Sequence, residues 1–266
     1  MRALDPKLWI TMLWITAATV VLCGALSAGA REPIHPDSRP RVLLLGDSNM
    51  LGFFGRKLQA RLRNSGFEVR RRAKHSSGLA FPRFWDWSLR APEMAERYDA
   101  EIIVLIFGGN DGQSMKPRSY DRWSTKIPFE LEHEWSEEYR SRVRDLAEAL
   151  TEQGRKLVVL SPTNRRSTKA RQRMARVLQL QKSALDDVPR CWWIDTWSMT
   201  SNPDGLYLAA GLDQRGRWVR YRRGDGIHLT EEGAELLLDT VYPHLMRTAF
   251  APYAGSMDTR RPRHGP

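Results

Sequence analysis

The chain has 266 residues, 41% of them hydrophobic, which suffices for one domain with its own apolar core. Its 42 lysines and arginines outnumber its 31 aspartates and glutamates, so the net charge is +11. The two cysteines are too few for a disulfide scaffold or a cysteine zinc site, and the six histidines show no H-E-x-x-H spacing. We therefore predict no metal and no other cofactor.

The first thirty residues have the features of an export segment. Arg2 and Lys7 provide a short basic start, and residues 8–30 carry no charge. An A-x-A cleavage pattern ends this run, which favours a signal peptide. Its 23 uncharged residues are also enough to cross a bilayer, which favours an N-terminal membrane anchor. Either alternative predicts a periplasmic or extracellular domain, preceded by a proline-rich linker at residues 31–40.

Strand-like and helix-like segments alternate from residue 41 onwards. Residues 41–45 and 102–107 are continuous apolar runs, typical of buried parallel strands. Apolar residues recur at helical spacing over 135–150, and Gly154 ends that pattern. The other predicted elements are a helix at 51–62, a weak strand at 67–69, a long loop at 113–133, a strand at 156–160, a helix at 169–185, a strand at 191–195, an irregular insert at 196–224 with a hairpin across 217–221, and a last helix from Thr230 to about Met246.

This alternation predicts a three-layer α/β/α sandwich with a mostly parallel sheet. We expect about five strands, since strand-like runs occur at that many places along the chain. A single domain should cover residues 41–250. The last residues, 251–266, contain three prolines and three arginines and are predicted to form a disordered basic tail.

Polar motifs follow the predicted strands, with a serine in the first of them and a histidine in the last. A serine becomes a nucleophile when a base takes its proton, and the base needs a carboxylate that holds it in the correct tautomer. The spacing of Asp225 and His228 lets the carboxylate reach Nδ1 while Nε2 points at Ser48. The motifs are Gly46-Asp47-Ser48-Asn49, Gly108-Gly109-Asn110-Asp111 and Asp225-Gly226-Ile227-His228. Open α/β sheets place their active sites at the ends of such strands.

These motifs, with Gly78 in a loop, resemble the four blocks of the SGNH branch of the GDSL hydrolases over residues 41–242. The resemblance implies a flavodoxin-like sheet and a catalytic triad of Ser48, Asp225 and His228. It also implies an oxyanion hole built from the backbone N–H groups of Ser48 and Gly78 and the side-chain amide of Asn110.

Two further features refine the resemblance. Asn49 stands where the family name has leucine, at a position with no obligatory chemical role. The aromatic stretches at 84–87 and 134–139 resemble an exported bacterial branch known as domain of unknown function 459.

Several other residues are candidates for the site, and each also has a common structural role. Trp85, Trp87 and Trp218 are candidates for a substrate groove, because aromatic rings stack on sugars, although buried packing is the common role of tryptophan. Asp47 and Asp111 are expected to organise their turns. The arginine runs at 70–72 and 165–166 are interpreted as solvated surface charge, since no nucleic-acid motif accompanies them.

The sequence thus predicts an exported serine esterase acting on carboxylic esters, with O-acetyl groups of an envelope or extracellular glycan as the expected substrate. An O-acyltransferase using the same acyl-serine and a non-catalytic module that binds a glycan or a protein partner are the alternatives. The positive charge favours anionic envelope polymers or a membrane surface as partners and nucleic acid is not expected. The sequence does not specify an oligomeric state.

Overall fold

Five parallel strands form the central sheet in a computed structural model that describes residues 39–116 and 125–253. They are β1 (Arg41–Gly46), β2 (Glu68–Ala73), β3 (Ile102–Ile106), β4 (Lys156–Leu160) and β5 (Cys191–Ile194), in the order β2-β1-β3-β4-β5. All neighbours pair in parallel. This is the flavodoxin-like order, so the predicted fold class is confirmed.

Helices cover both faces of the sheet, which explains why its inner strands are apolar on both sides. The helices are α1 (Ser48–Leu51), α2 (Phe53–Asn64), α3 (Trp87–Arg97), α4 (Glu132–Thr151), α5 (Thr168–Leu185), α6 (Thr196–Met199) and α7 (Glu231–Arg247), with a 3₁₀ turn at Glu152–Gly154. Leu43 and Leu45 pack under α3, α4 and α5. Val42 and Leu44, which alternate with them, pack under α2 and α7.

A two-stranded antiparallel hairpin, β6 (Ala210–Leu212) and β7 (Trp218–Arg220), stands in the insert between α6 and α7. The sequence predicted a hairpin across residues 217–221 of this insert, but that range covers only the second strand of the observed one. Thr230 is the N-cap of α7, as predicted, and its hydroxyl accepts the backbone N–H of Gly233 at 3.0 Å.

Helix α3 was not among the predicted elements. Its buried positions Trp87, Ala91 and Ala95 have helical spacing, but Pro92 stands in their middle and obscures the pattern. The predicted helix at 51–62 corresponds to α2 at Phe53–Asn64, and the short helix α1 precedes it across Gly52. The predicted loop at 113–133 overlaps the start of α4, which begins at Glu132, and residues 117–124 of that loop lie outside the described part of the chain.

The folded body extends slightly beyond its predicted limit at residue 250. Tyr253 packs edge-on against Phe67 at a centroid distance of 5.9 Å, and Lys156 lies over the Tyr253 ring. The prediction of disorder is therefore wrong for residues 251–253. Residues 254–266, the predicted export segment at 1–30 and most of the linker lie outside the described residues. Within the described ranges, no helix is long and apolar enough to span a membrane.

Candidate active site

Ser48 and two side chains of one distant turn, Asp225 and His228, form a continuous hydrogen-bonded row. His228 Nε2 lies 2.8 Å from Ser48 Oγ, and Nδ1 of the same ring lies 2.8 Å from Asp225 Oδ2. Asp225 Oδ1 accepts the backbone N–H groups of Ile227 at 2.8 Å and His228 at 2.9 Å, so one turn holds both carboxylate and ring. A ring that donates from Nδ1 to the carboxylate presents an unprotonated Nε2 to the serine, as a general base must.

The carboxylate of this row is strongly acidic. Desolvation raises the pKa of Asp225, but hydrogen bonds from the side chain and backbone of His228 and from the backbone of Ile227 outweigh it and lower the pKa to about 2. Asp225 is therefore ionised throughout the neutral pH range. A negative charge beside Nδ1 favours the imidazolium that forms when His228 accepts a proton.

Ser48 lies at the sharp turn from β1 into α1. Asp47 is the N-cap, and its Oδ1 accepts the backbone N–H of Asn49 at 2.8 Å and the Asn49 side-chain amide at 3.1 Å. Asn49 thus holds the buried Asp47 carboxylate in place, as a leucine could not. A side chain at Gly46 would overlap the carbonyl oxygen of Ile106, so this turn requires glycine.

Hydrogen-bond donors with spare capacity occur at the three predicted oxyanion-hole positions. As the first residue of α1, Ser48 has a backbone N–H without an intrahelical acceptor. The Gly78 N–H donates to no residue that the structure describes. Asn110 Nδ2 donates to the carbonyl of Ser77 at 2.9 Å, which orients the amide and leaves its second hydrogen for a substrate.

Replacing Asn110 with alanine is expected to lower kcat for p-nitrophenyl acetate by roughly 10²–10³, because one oxyanion donor is lost. KM should change much less, since the ground-state carbonyl needs the donor less than the transition state does. Asn64→Ala, at the exposed end of α2, is the matched control. A loss in kcat smaller than about fivefold would show that Asn110 is not an oxyanion donor.

A buried carboxylate supports the Gly78 loop from behind. Asp111 is 0% exposed and accepts the backbone N–H of Ala80 and the hydroxyl of Tyr139, both at 2.9 Å. Gln181 Nε2 donates to that hydroxyl at 3.3 Å. A side chain at Gly78 would overlap the Asp111 carboxylate. The loop that presents the Gly78 N–H is therefore tied to α4 and α5, an arrangement that supports the organising role predicted for Asp111.

Burial raises the pKa of Asp111 to about 6, although hydrogen bonds from Ala80 and Tyr139 lower it. Because the folded state holds this proton more tightly than the unfolded state, the contribution of Asp111 to stability falls as pH rises from about 4 to 6. The rise in the pKa of Asp111 from 3.8 to about 6 corresponds to a loss of about 3 kcal/mol in the free energy of unfolding once the carboxyl is ionised. In urea unfolding, the free energy of unfolding of wild type should fall more between pH 4.5 and pH 7 than that of Asp111→Asn. Equal shifts in both proteins would contradict this prediction.

The three candidate groove tryptophans have different surroundings. Trp87 is 1% exposed and its indole N–H donates to Ser77 Oγ at 2.9 Å, so its proposed substrate contact was wrong. It packs in the core because it begins the unpredicted helix α3. Trp85 is half-buried beside it, with the Arg90 guanidinium 4.3 Å from its ring centroid. Trp218, on β7, is 73% exposed and stays a candidate.

Two cavities flank the catalytic row. One of about 260 Å³ is lined by Ser48 and His228, by apolar residues of α1 and α2, and by Arg56 and Arg223. A larger one of about 630 Å³ is lined by Asn110, by Phe81 and Phe84, and by residues of the β4–α5 connection and α5. An ester bound at Ser48 thus has space on both sides of its carbonyl.

Arg165 is a site residue that the sequence interpretation missed. The sequence predicts solvated charge at this position, but Arg165 is half-buried where β4 leads into α5, at the same sheet edge as Ser48 and Asn110. A methyl group placed on Gly109 would lie 2.5 Å from Arg165 Nη2 and 3.3 Å from Asp47 Oδ2. The only sequence signal was its position directly after a predicted strand, which is where the other site residues occur.

Cofactor ligands were not expected from the sequence. Among the residues that the structure describes, no group of three or more His, Cys, Asp or Glu side chains could hold a metal ion. Cys191 is a free thiol, and burial raises its pKa to about 12. A thiol with so high a pKa is unsuited to act as a nucleophile or metal ligand at neutral pH.

Comparisons with known proteins agree with the fold. A family model described as "Protein of unknown function (DUF459)" matches residues 41–244. A GDSL-like lipase from Bacteroides thetaiotaomicron is similar in structure, with a TM-score of 0.53 and 13% identity over 78% of this chain and 88% of that one. An acetyl xylan esterase from Geobacillus stearothermophilus has a TM-score of 0.52 and 15% identity over 78% and 95%. A sequence comparison with curated proteins finds no match.

Proposed function

Since the chain belongs to the family described as protein of unknown function (DUF459) and has the fold of the SGNH hydrolases, we propose that it is a serine esterase working through an acyl-serine intermediate. The observation that carries the proposal is the row from Asp225 through His228 to Ser48, with 2.8 Å at both side-chain contacts. A binding module would need neither this row nor the donors beside it.

In the first half of the proposed reaction, Ser48 Oγ attacks the ester carbonyl carbon while His228 Nε2 takes its proton. The oxyanion that forms accepts hydrogen bonds from the N–H groups of Ser48 and Gly78 and from the Asn110 amide. Each such donor is worth about 3–4 kcal/mol in the transition state. The intermediate then collapses, its C–O bond breaks, and His228 returns the proton to the leaving alcohol.

In the second half, water takes the place of the alcohol. His228 removes a proton from the water as its oxygen attacks the acyl carbon, and the same donors hold the second oxyanion. Collapse releases the carboxylic acid, and Ser48 Oγ regains its proton from His228. The cycle consumes one ester and one water and needs no redox partner.

We extend the proposal to the substrate: an O-acetyl group on an envelope or extracellular glycan, reached by an exported enzyme. Support comes from the export segment predicted at residues 1–30 and from the exposed Trp218, which offers a flat ring to a sugar. The similar Geobacillus protein is described as an acetyl xylan esterase, so this fold can serve such a substrate. An acyltransferase would use the same steps but pass the acyl group to a sugar hydroxyl.

The test measures covalent labelling and turnover together. A fluorophosphonate probe should label Ser48, identified by peptide mass spectrometry, and Ser183→Ala, on the far part of α5, should label like wild type. The protein should also release acetate from p-nitrophenyl acetate and from O-acetylated xylan or peptidoglycan. Acetyl transfer to an added unacetylated glycan would favour the transferase. If the probe does not label the protein and no acetate is released, only the binding module would remain.

A further inference from the structure

The cavity next to Asn110 is strongly basic. Three cations line it, Arg165, Lys169 and Arg173, and its described lining contains no aspartate or glutamate. Arg173 is partly neutralised, because its Nη2 lies 3.0 Å from Glu130 Oε1 and its Nη1 donates to the carbonyl of Gly112. The other two side chains are not neutralised by the lining, so the cavity favours an anion.

Arg165 has a fixed backbone and a side chain that lines the cavity. Its backbone is fixed, since its N–H donates to Asn164 Oδ1 at 2.6 Å and its carbonyl accepts from Arg171 at 3.1 Å. Its half-buried guanidinium, however, makes no hydrogen bond or ion pair with any residue that the structure describes. A guanidinium has five N–H donors, and none of the Arg165 nitrogens is a fully buried atom without a partner, so these donors are open to the cavity and to a ligand in it.

Nearby carboxylates attract Arg165 but do not accept its hydrogen bonds. Desolvation lowers the pKa of Arg165, while the charges of Asp47 and Asp111 raise it, so both carboxylates attract the guanidinium. Neither comes within the 4 Å of an ion pair among the described residues. The Asp47 carboxylate already accepts from Asn49, and that of Asp111 from Ala80 and Tyr139. The donors of Arg165 therefore remain available to a ligand.

The start of α5 adds a second positive feature to the same cavity. The N-cap Ser167 and two residues of the first turn, Lys169 and Ala170, line the wall. This helix has 18 residues, so its N-terminus carries a substantial partial positive charge. Free N–H groups and the dipole at such an end favour anions. The exposed rings of Phe81 and Phe84 form an apolar wall for the rest of a ligand.

We propose that this cavity binds an anionic group of the ester substrate, a carboxylate or a phosphate, with Arg165 as its main ligand. The inference rests on the proposed esterase function and narrows its substrate class to acidic esters. Asn110 lines the same cavity, so the anionic group would lie on the oxyanion-hole side of the scissile ester. A planar guanidinium suits both anions, because it can donate two parallel hydrogen bonds to either.

Matched ester pairs test the proposal on the full-length protein. Mono-p-nitrophenyl succinate and its neutral methyl ester compare a carboxylate on the acyl side. 4-Acetoxyphenyl phosphate and 4-methoxyphenyl acetate compare a phosphate on the alcohol side. In one of these pairs, wild type should prefer the anionic ester, and Arg165→Gln should lower the ratio of kcat/KM values by roughly 10–100-fold. Arg97→Gln, which removes an exposed charge on α3, should leave the ratio unchanged.

Binding provides a readout that does not depend on turnover. Inorganic phosphate and succinate, titrated calorimetrically, should bind wild type and bind Arg165→Gln more weakly by a similar factor. If the glutamine variant does not fold, Arg165→Lys keeps the charge but loses the paired donors, and its ratio should fall by a smaller factor. Binding without any ester turnover would reject the esterase and keep the anion site. Equal ratios and equal binding in wild type and the folded variant would overturn the inference.

Discussion

Replacing Ser48 with alanine is expected to lower kcat for p-nitrophenyl acetate by roughly 10⁴–10⁶. The alanine leaves His228 and the oxyanion donors in place but removes the oxygen that attacks the carbonyl. The residual rate should come from water activated less effectively at the same site. Initial rates measured at saturating substrate, with high enzyme concentration for the variant, would establish the difference.

The loss should be confined to chemistry. Ser48 is the first residue of a four-residue helix, and the cap of that helix is the Asp47 side chain, which bonds to Asn49. Alanine at position 48 should therefore preserve both the fold and the cap. Ser183→Ala provides the control for removing a serine hydroxyl elsewhere. If Ser48→Ala kept more than a few per cent of the wild-type rate, the nucleophile would be another group and the acyl-serine mechanism would be wrong.

The second large effect is expected for Asp225→Asn, which should lower kcat by roughly 10⁴. Asparagine can keep the two backbone hydrogen bonds that Asp225 Oδ1 accepts from Ile227 and His228. Its amide nitrogen, however, would face Nδ1 of His228 as a donor. The ring would then carry its proton on Nε2, the atom that must accept from Ser48.

The pH profile adds a check with a definite sign. The pKa of Asp225 is lowered to about 2, so the stability gained from its ionised form is complete above the ordinary 3.8 and is lost as pH falls towards 2. Protonation of Asp225 therefore cannot explain any loss of activity above about pH 4 in wild type. Asp186→Asn, at the exposed end of α5, controls for the change in charge. A fall below tenfold in Asp225→Asn would show that the carboxylate does not set the tautomer.

Local patterns were sufficient to predict the elements that frame the site. Apolar runs identified β1, β3 and β4 because these strands are buried on both faces, so that consecutive residues are apolar. The spacing of Asp225 and His228 predicted their contact, since both lie in one turn. The resemblance to the DUF459 branch, drawn from short motifs, is confirmed by the family model over residues 41–244.

What the sequence by itself determined, then, is the five strands of the sheet with the longer helices after β3, β4 and β5, the family, and the residues proposed for acyl chemistry. The tertiary structure alone decided that Trp87 is buried and that Asp111 accepts hydrogen bonds from Ala80 in the Gly78 loop and from Tyr139. It also decided that Arg165 lines a cavity and has no side-chain partner among the described residues. The physical reason is range. Periodicity and turns act between near neighbours, whereas burial and unpaired charge depend on which distant segments the closed fold brings together.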